Sequence, residues 1–217
     1  EKLPIIYDVE NMRDGGSFSA RRVKAIQKGR PIFYMTCSFQ TVEEGFNHQD
    51  VMPDVPGPEG LLNQQELAVT MRDKVPAKML EKFMADSPIE MRLVNPVHPI
   101  APNTTEAKGY VWLRANGQVP SDHSIQEYLL AYASDFNFLA TATQPHGVSF
   151  LTPGMRMATI DHAMWFHRPF NMGEWLLYCI DSPNAGGGRG FVKGQFFDQQ
   201  GRLVASATQE GLIRMTK

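Results

Sequence analysis

The sequence predicts an α+β fold built from two antiparallel sheets, the second accompanied by one long helix. Three observations carry that expectation. Short alternating apolar segments follow one another at 4–10, 18–27 and 31–40, with residues 11–17 and 28–30 as turns. Strands joined by such short turns pair antiparallel. One long helical pattern stands at 121–137, directly ahead of a run of strands. Finally, QKGRPIFYMTCS (Gln27–Ser38) aligns with QQGRLVASATQE (Gln199–Glu210) through Gln, any residue, Gly, Arg and then an alternating apolar strand. A strand-turn-strand unit at the ends of two halves predicts two copies of one small antiparallel fold.

The remaining elements follow in order. Residues 47–60 (NHQDVMPDVPGPEG) lose all apolar periodicity among their prolines and glycines, which predicts a linker. Residues 61–84 read as helical, interrupted at Pro76, and strands are expected at 88–95 and 108–115 around a loop at 96–107. In the helix at 121–137, Ile125, Leu129, Tyr132 and Phe136 recur at helical spacing and make an apolar stripe. Ser124-Ile125-Gln126-Glu127 has capping-box spacing, and Ser121-Asp122 would serve equally as a start. Gln144–Phe150 leads into a long strand at 155–168. Strands at 175–181 and 191–197 are joined by the loop SPNAGGGRG, and the last strand is 203–215. The expected division is 1–46, a linker with a helical segment at 47–85, and 86–217. Strand-like sequence begins directly after Glu1, and the first copy has no helix ahead of its strands, so a further N-terminal segment is expected before residue 1.

Composition excludes several function classes. The chain has 217 residues, 42% hydrophobic and 20% charged, an ordinary globular mixture. Its net charge of -2 provides neither a basic footprint for nucleic acid nor a polybasic membrane patch. No apolar run approaches the roughly 20 residues of a membrane span. Cys37 and Cys179 are far apart with no CxxC, which fits a reducing, cytoplasmic compartment rather than a disulfide framework or zinc site. No HExxH or other metal spacing occurs, and no cofactor or metal is expected. Gly147-Val148-Ser149 lacks the second glycine of a nucleophile elbow. Gly186–Gly190 lacks the Lys-Ser/Thr of a phosphate-binding loop and precedes a strand, so it reads as a hairpin connection, with Arg189 a lesser candidate for a phosphate contact.

Three polar side chains stand where the patterns expect apolar ones. Asp135 falls at the edge of the helical stripe, near the negative end of the macrodipole. Partial burial there would disfavour its charge and suit it to act as a general base. The plainer alternative is an acid leaning into solvent. In the last strand Leu203, Ala205, Ala207, Gln209, Gly211, Ile213 and Met215 share the core face. Gln209 is the hydrogen-bonding side chain on it and must find a partner, with space left beside Ala207 and Gly211. In the strand at 155–168, Met155, Met157, Thr159, Asp161, Ala163 and Trp165 share a face, and a buried Thr159 hydroxyl would need a partner. Asp161 and His162 then face opposite ways, as do His162 and His167, and both histidines are expected to be structural. Stepping through the repeat, Cys37 falls where Gln209 stands, so only the second copy keeps a polar group there. Asp, Thr and Gln without metal or nucleophilic Ser suggest an activated water.

LAYASDFNFL (Leu130–Leu139), QPHGVSFLTPGMRMATIDHAMWFHRPF (Gln144–Phe170), LVASATQEGLIR (Leu203–Arg214) and the early stretch DVENMRDGGSFSARRVKAIQKGRPIFYM together resemble the acyl-CoA thioesterase II family. The resemblance implies a double hotdog, each antiparallel sheet wrapped around a long central helix, with the first hotdog incomplete at its N-terminus here. It implies hydrolysis of fatty acyl-CoA to free acid and coenzyme A, without a cofactor. The family's catalytic Asp (YASD), Thr (ATIDH) and Gln (TQEG) fall on Asp135, Thr159 and Gln209, the first as general base and the others as holders of the water. By analogy the assembly is a homodimer or homotetramer, since exposed sheet edges favour pairing. Two other classes stay open: a non-catalytic acyl-CoA binder, and a hotdog enoyl-CoA hydratase, which would call for an Asp/His pair at one site.

Overall fold

The computed structural model describes residues 3–70, 72 and 77–216, so the break expected at Pro76 lies outside the described residues. The chain divides into two units, 1–48 and 49–217. In the first, β1 (Ile6–Asp14), β2 (Phe18–Gln27) and β3 (Arg30–Gln40) form an antiparallel sheet in the order β1-β2-β3. β1 continues past the turn expected from residue 11, with a bulge between Asn11 and Arg13. Cross-strand pairs explain why so polar a stretch holds as a strand: Arg21 reaches Asp14 at 2.6 Å and Arg22 reaches Glu10 at 2.5 Å. Lys28 and Gly29, at φ 52° and 71°, turn β2 into β3.

The second unit holds α1 (Gln64–Thr70), α2 (Ala77–Met84), β4 (Ile89–Leu93), β5 (Lys108–Ala115), α3 (His123–Ala133), a 3₁₀ helix (Leu139–His146), β6 (Met155–Phe166), β7 (Leu176–Gly186), β8 (Arg189–Asp198) and β9 (Leu203–Met215). Its six strands make one antiparallel sheet in the order β4-β5-β7-β8-β9-β6, with β6 on an edge. The stretch SPNAGGGRG is mostly strand: β7 and β8 pair out to Gly186 and Arg189, leaving Gly187 and Gly188 as the turn.

Helix α3 departs from the sequence reading in a telling way. Its N-cap is Asp122, whose carboxylate accepts from the Ser124 amide at 2.8 Å. Its buried row is Gln126, Leu130 and Ala133, while Tyr132 of the expected stripe is 54% exposed. Gln126 accounts for the shift. Its Nε2 donates to the Pro120 carbonyl and its Oε1 accepts from the Met172 amide, both at 2.6 Å. An amide so partnered can point inward, and the buried row moves toward it, while Leu129 and Phe136 of the expected stripe still pack against the core.

One face of the sheet closes on α3 and the 3₁₀ helix. Leu130, Ala133, Phe138, Leu139 and Ala142 pack there with Val111, Leu176, Tyr178, Val192, Phe196 and Ala207. The other face carries Trp112, Trp175, Leu177, Phe197 and Leu203, covered by Met52, Val55 and Leu61. Hydrogen bonds pin that cover: Trp112 Nε1 donates to Pro56 O at 2.9 Å, and Gln49 bridges Gly201 O and the Leu203 amide at 2.8 and 3.1 Å.

The feature that matters most for the site is the β6–β9 ladder. Thr159 lies opposite Gly211, but Asp161 lies opposite Glu210 and His162 opposite Gln209. Ile160 is thus an extra residue, a β-bulge that flips every later side chain of β6 to the other face. The face expected for Thr159, Asp161, Ala163 and Trp165 is therefore broken. His162 and Met164 continue the Thr159 side, and Trp165 is 52% exposed.

Candidate active site

The site is assembled from the end of α3 and the neighbouring strands β6 and β9. Asp135 follows the helix C-cap, Ser134. Thr159 stands just before the bulge, and Gln209 occupies the core face of β9 at 1% exposure. The structure brings these three expected residues together. Gln209 Nε2 donates to Thr159 Oγ1 at 3.0 Å, and Thr159 Oγ1 donates to Asp135 Oδ1 at 3.2 Å. Asp135 Oδ2 has no hydrogen bond among the described residues. Asp135 and Thr159 are exposed, so the chain runs from the interior out to an open carboxylate, and the partial burial expected of Asp135 is not found.

His162, expected to be structural and to face away, joins the same group. Its Nδ1 lies 2.6 Å from Gln209 Oε1 and its Nε2 lies 2.8 Å from Ser134 Oγ. Its ring meets Phe138 edge-on at 5.8 Å. No signal in the sequence alone marks it; the strand register does. In an uninterrupted pairing of the same residues, Asp161 would stand opposite Gln209 and offer only acceptors to a buried carbonyl oxygen that needs a donor. Asp161 instead accepts from the Glu210 amide at 3.0 Å, holding the bulge. His167 bonds Ser206 Oγ at 2.9 Å, on the face of β9 away from Gln209. Burial, helped by the charge of Arg168, holds its imidazole below the ordinary range.

Residues 79–212 match a family model described as acyl-CoA thioesterase, and residues 1–40 match one described as acyl-CoA thioesterase N-terminal domain. The chain is 46% identical over 216 residues to acyl-CoA thioesterase 2 of Haemophilus influenzae, an alignment spanning 100% of this chain and 76% of that protein. This chain belongs to the acyl-CoA thioesterase II family. Acyl-coenzyme A thioesterase 8 of Homo sapiens is 39% identical, over 99% of this chain and 69% of its own length. Among solved structures, an acyl-CoA thioesterase II of Mycobacterium marinum superposes with a TM-score of 0.75 at 37% identity, covering 98% of this chain and 75% of that one. A hot dog fold protein of Alicyclobacillus acidocaldarius, at 19% identity and a TM-score of 0.74 over 98% of this chain and 74% of its own, supports the fold alone. The α+β double hotdog expected from the resemblance is the fold class of this thioesterase II chain.

Other groups complete the setting of this thioesterase II site. Tyr178, fully buried, donates to the Ser134 carbonyl at 2.9 Å. Burial first, and the charge of Asp135 second, push its hydroxyl well above the usual tyrosine range, so it stays a neutral donor. Ser134 and His162 superficially form a Ser–His pair. Ser134 is fully buried, however, and its Oγ also lies 2.8 Å from Ala131 O, so it is closed to a thioester. The space expected beside Gln209 at Gly211 is already filled: a Cβ there would come within 2.3 Å of Leu139 Cδ2. Two open depressions lie nearby without taking in the trio. One, of about 500 Å³, is lined by Phe150, Arg156, Ala158 and Leu212, and the other, of about 270 Å³, by His146, Arg189 and Arg214. Among the described residues no group of three or more His, Cys, Asp or Glu is placed to hold a metal ion, and no helix is long and apolar enough to cross a membrane.

Proposed function

We propose that this chain hydrolyses fatty acyl-CoA thioesters, with Asp135 as general base and Thr159 and Gln209 as the groups that position the attacking water. Family membership makes it a thioester hydrolase; the substrate and the residue roles are the proposal. The observation that carries it is the amide–hydroxyl–carboxylate chain, 3.0 and 3.2 Å long in its two links. Thr159 fixes Oδ1 and so turns Oδ2 outward. A water bound there gives its proton to Oδ2 and adds its oxygen to the thioester carbon. The tetrahedral intermediate collapses by breaking the carbon–sulfur bond. The proton on Asp135 then passes to the departing thiolate, leaving fatty acid and coenzyme A. In this reading the second N–H of Gln209 holds the water or the oxyanion.

The hydratase reading loses support because His162 bonds Gln209 and Ser134 rather than Asp135. Thiol release from medium- and long-chain acyl-CoA, followed with a thiol reagent, separates hydrolysis from binding: tight binding without release would establish the binder. Asp135→Asn that folds normally is expected to lose roughly 10²–10⁴ in kcat, and near-normal turnover would remove Asp135 as base. We also propose the division 1–46, 47–85 and 86–217, and self-association into a homodimer or homotetramer. A cytoplasmic location accords with the two free cysteines.

A further inference from the structure

We propose that His162 is a positioning residue that sets the polarity of the Gln209 amide and, through it, of the whole chain leading to Asp135. The inference rests on the thioesterase reading above. An amide can present either end to a neighbour, and the two choices have opposite consequences here. With Oε1 toward His162, the NH₂ group faces Thr159, the Thr159 hydroxyl accepts, and its own proton is left for Asp135 Oδ1. With the amide reversed, the Thr159 hydroxyl would donate to Oε1, and the Asp135 carboxylate would lose its only hydrogen-bonding partner among the described residues.

His162 decides between them. Its Nδ1 lies 2.6 Å from the amide atom assigned as Oε1, so this contact requires a proton on Nδ1. Both protonation states that carry this proton satisfy the other side of the ring. In the neutral Nδ1–H form, Ser134 donates to Nε2 across 2.8 Å. In the imidazolium, Nε2 donates to Ser134, whose hydroxyl then goes to Ala131 O, also 2.8 Å away. With Oε1 toward the ring the neutral Nε2–H tautomer is excluded, since it leaves two lone pairs facing each other; that tautomer goes with the reversed amide. His162 is itself exposed, and its ring is held by these two hydrogen bonds and by fully buried Phe138, which meets it edge-on. The result is a one-way series from His162 to Gln209 to Thr159 to Asp135, with the Ser134 hydroxyl donating to Nε2 or to Ala131 O according to the charge on the ring. Each member donates to the next, and the last carboxylate keeps an oxygen for water. The bulge at Ile160 makes this arrangement possible, because in an uninterrupted pairing of the same residues Asp161 would face Gln209.

The test compares three substitutions in acyl-CoA hydrolysis and repeats one in a Gln209→Ala background. His162→Ala is expected to lower kcat by about 10–100-fold, the cost of one oriented hydrogen bond in the transition state, with KM changed less than about 3-fold. His162→Asn, whose amide nitrogen takes the place of Nδ1, is expected to recover most of kcat. His162→Gln, which reproduces Nε2 instead, is expected to stay as slow as His162→Ala. In the Gln209→Ala background, His162→Ala should cost little more, because there is no amide left to orient. The proposal is overturned if His162→Ala keeps wild-type kcat, if Gln rescues as well as Asn, or if the loss is undiminished when Gln209 is gone. A nitrogen-15 spectrum of the histidine rings gives a reading independent of turnover: a protonated Nδ1 on His162 supports the proposal and a bare Nδ1 ends it. Wild-type protein that releases no thiol would sink the thioesterase reading instead, while the spectrum still decides the amide's orientation.

Discussion

Gly211 measures how tightly the site is packed at the level of single residues. It lies opposite Thr159 and two residues from Gln209, and a Cβ there would stand 2.3 Å from Leu139 Cδ2 and 3.0 Å from the Ala158 carbonyl. Leu139 is itself 93% buried, at 7% exposure, so it cannot simply swing aside. Gly211→Ala is therefore expected to destabilise the fold by about 1–3 kcal/mol, as overpacking does. It should also lower kcat by moving β9 against β6. A thermal melt with parallel kinetics checks both, and an unchanged melting temperature would mean that Leu139 has a vacancy to enter. Cys179 illustrates the opposite, inert kind of residue. Burial pushes its thiol up to about 12, so the nucleophilic thiolate is scarce at ordinary pH. Cys179 is expected to react slowly with an alkylating reagent in the folded protein and rapidly after denaturation, which mass spectrometry of the labelled peptide resolves. Rapid native labelling would show that the strand opens.

Pairs of strands set the next scale, and β4–β5 carries a clamp worth testing. Glu90 accepts from Arg92 through Oε1 at 2.9 and 2.7 Å and from Arg114 through Oε2 at the same two distances. Both guanidinium groups lie over Trp175, at 5.0 and 4.4 Å from its ring centre. Burial alone would push the Glu90 carboxyl up. The hydrogen bonds and charges of Arg114 and Arg92 outweigh it and hold the carboxyl below the ordinary value of 4.5. A lowered folded-state pKa means stability that is fully present above 4.5 and lost as pH falls through the folded value. Glu90→Gln is expected to cost about 1–3 kcal/mol near neutrality. The difference from wild type should shrink in acid as wild-type Glu90 also takes a proton. Denaturant titrations at neutral and acid pH check it, and a gap that widened in acid would contradict the sign. On β6 the corresponding device is the bulge. Deleting Ile160 would remove the bulge yet leave Asp161 opposite Glu210 and His162 opposite Gln209, so much of the turnover is expected to survive, which steady-state kinetics checks. These elements also show what the sequence made legible. Strand existence, β9's core face from Ala205 to Gln209 and the separate oddity of Asp135, Thr159 and Gln209 were readable because period-2 and period-3.6 patterns report one strand or helix at a time; Leu203, at the start of β9, lies on the other face. The rotated face of α3 was not, because a satisfied amide such as Gln126 counts as polar in any pattern. The bulge was not either, because one extra residue leaves composition and alternation nearly untouched, and with it went the role of His162.

Burial differs sharply between the two units, and that difference sets an expectation for the molecule as a whole. Every residue of β1 is exposed, and in β3 all but Cys37 are. In the second unit Leu176, Leu177, Tyr178, Val192, Phe196, Phe197, Val204 and Ala205 of β7–β9 are essentially excluded from solvent. A three-stranded sheet draws its stability from side chains packed on one face, and backbone opening is cheapest where such packing is thinnest. The ion pairs of the first sheet do little to compensate, because exposed pairs contribute about 0–1 kcal/mol each. Amide exchange followed by mass spectrometry is therefore expected to be fast across 6–40 and slowest across 176–213, with the segment bearing Thr159 between them because β6 is an edge strand. The spacing of these rates matters for catalysis. Gln209 sits in the slowest class, held by β8 on one side and β6 on the other, while Asp135 lies outside any regular element. The rigid end of the hydrogen-bonded series should thus help to hold Asp135 in place. Equal protection across 6–40 and 176–213 would contradict the expectation and would mean that something covers the first sheet in solution, for which a second copy of the chain is the first candidate to test by sedimentation.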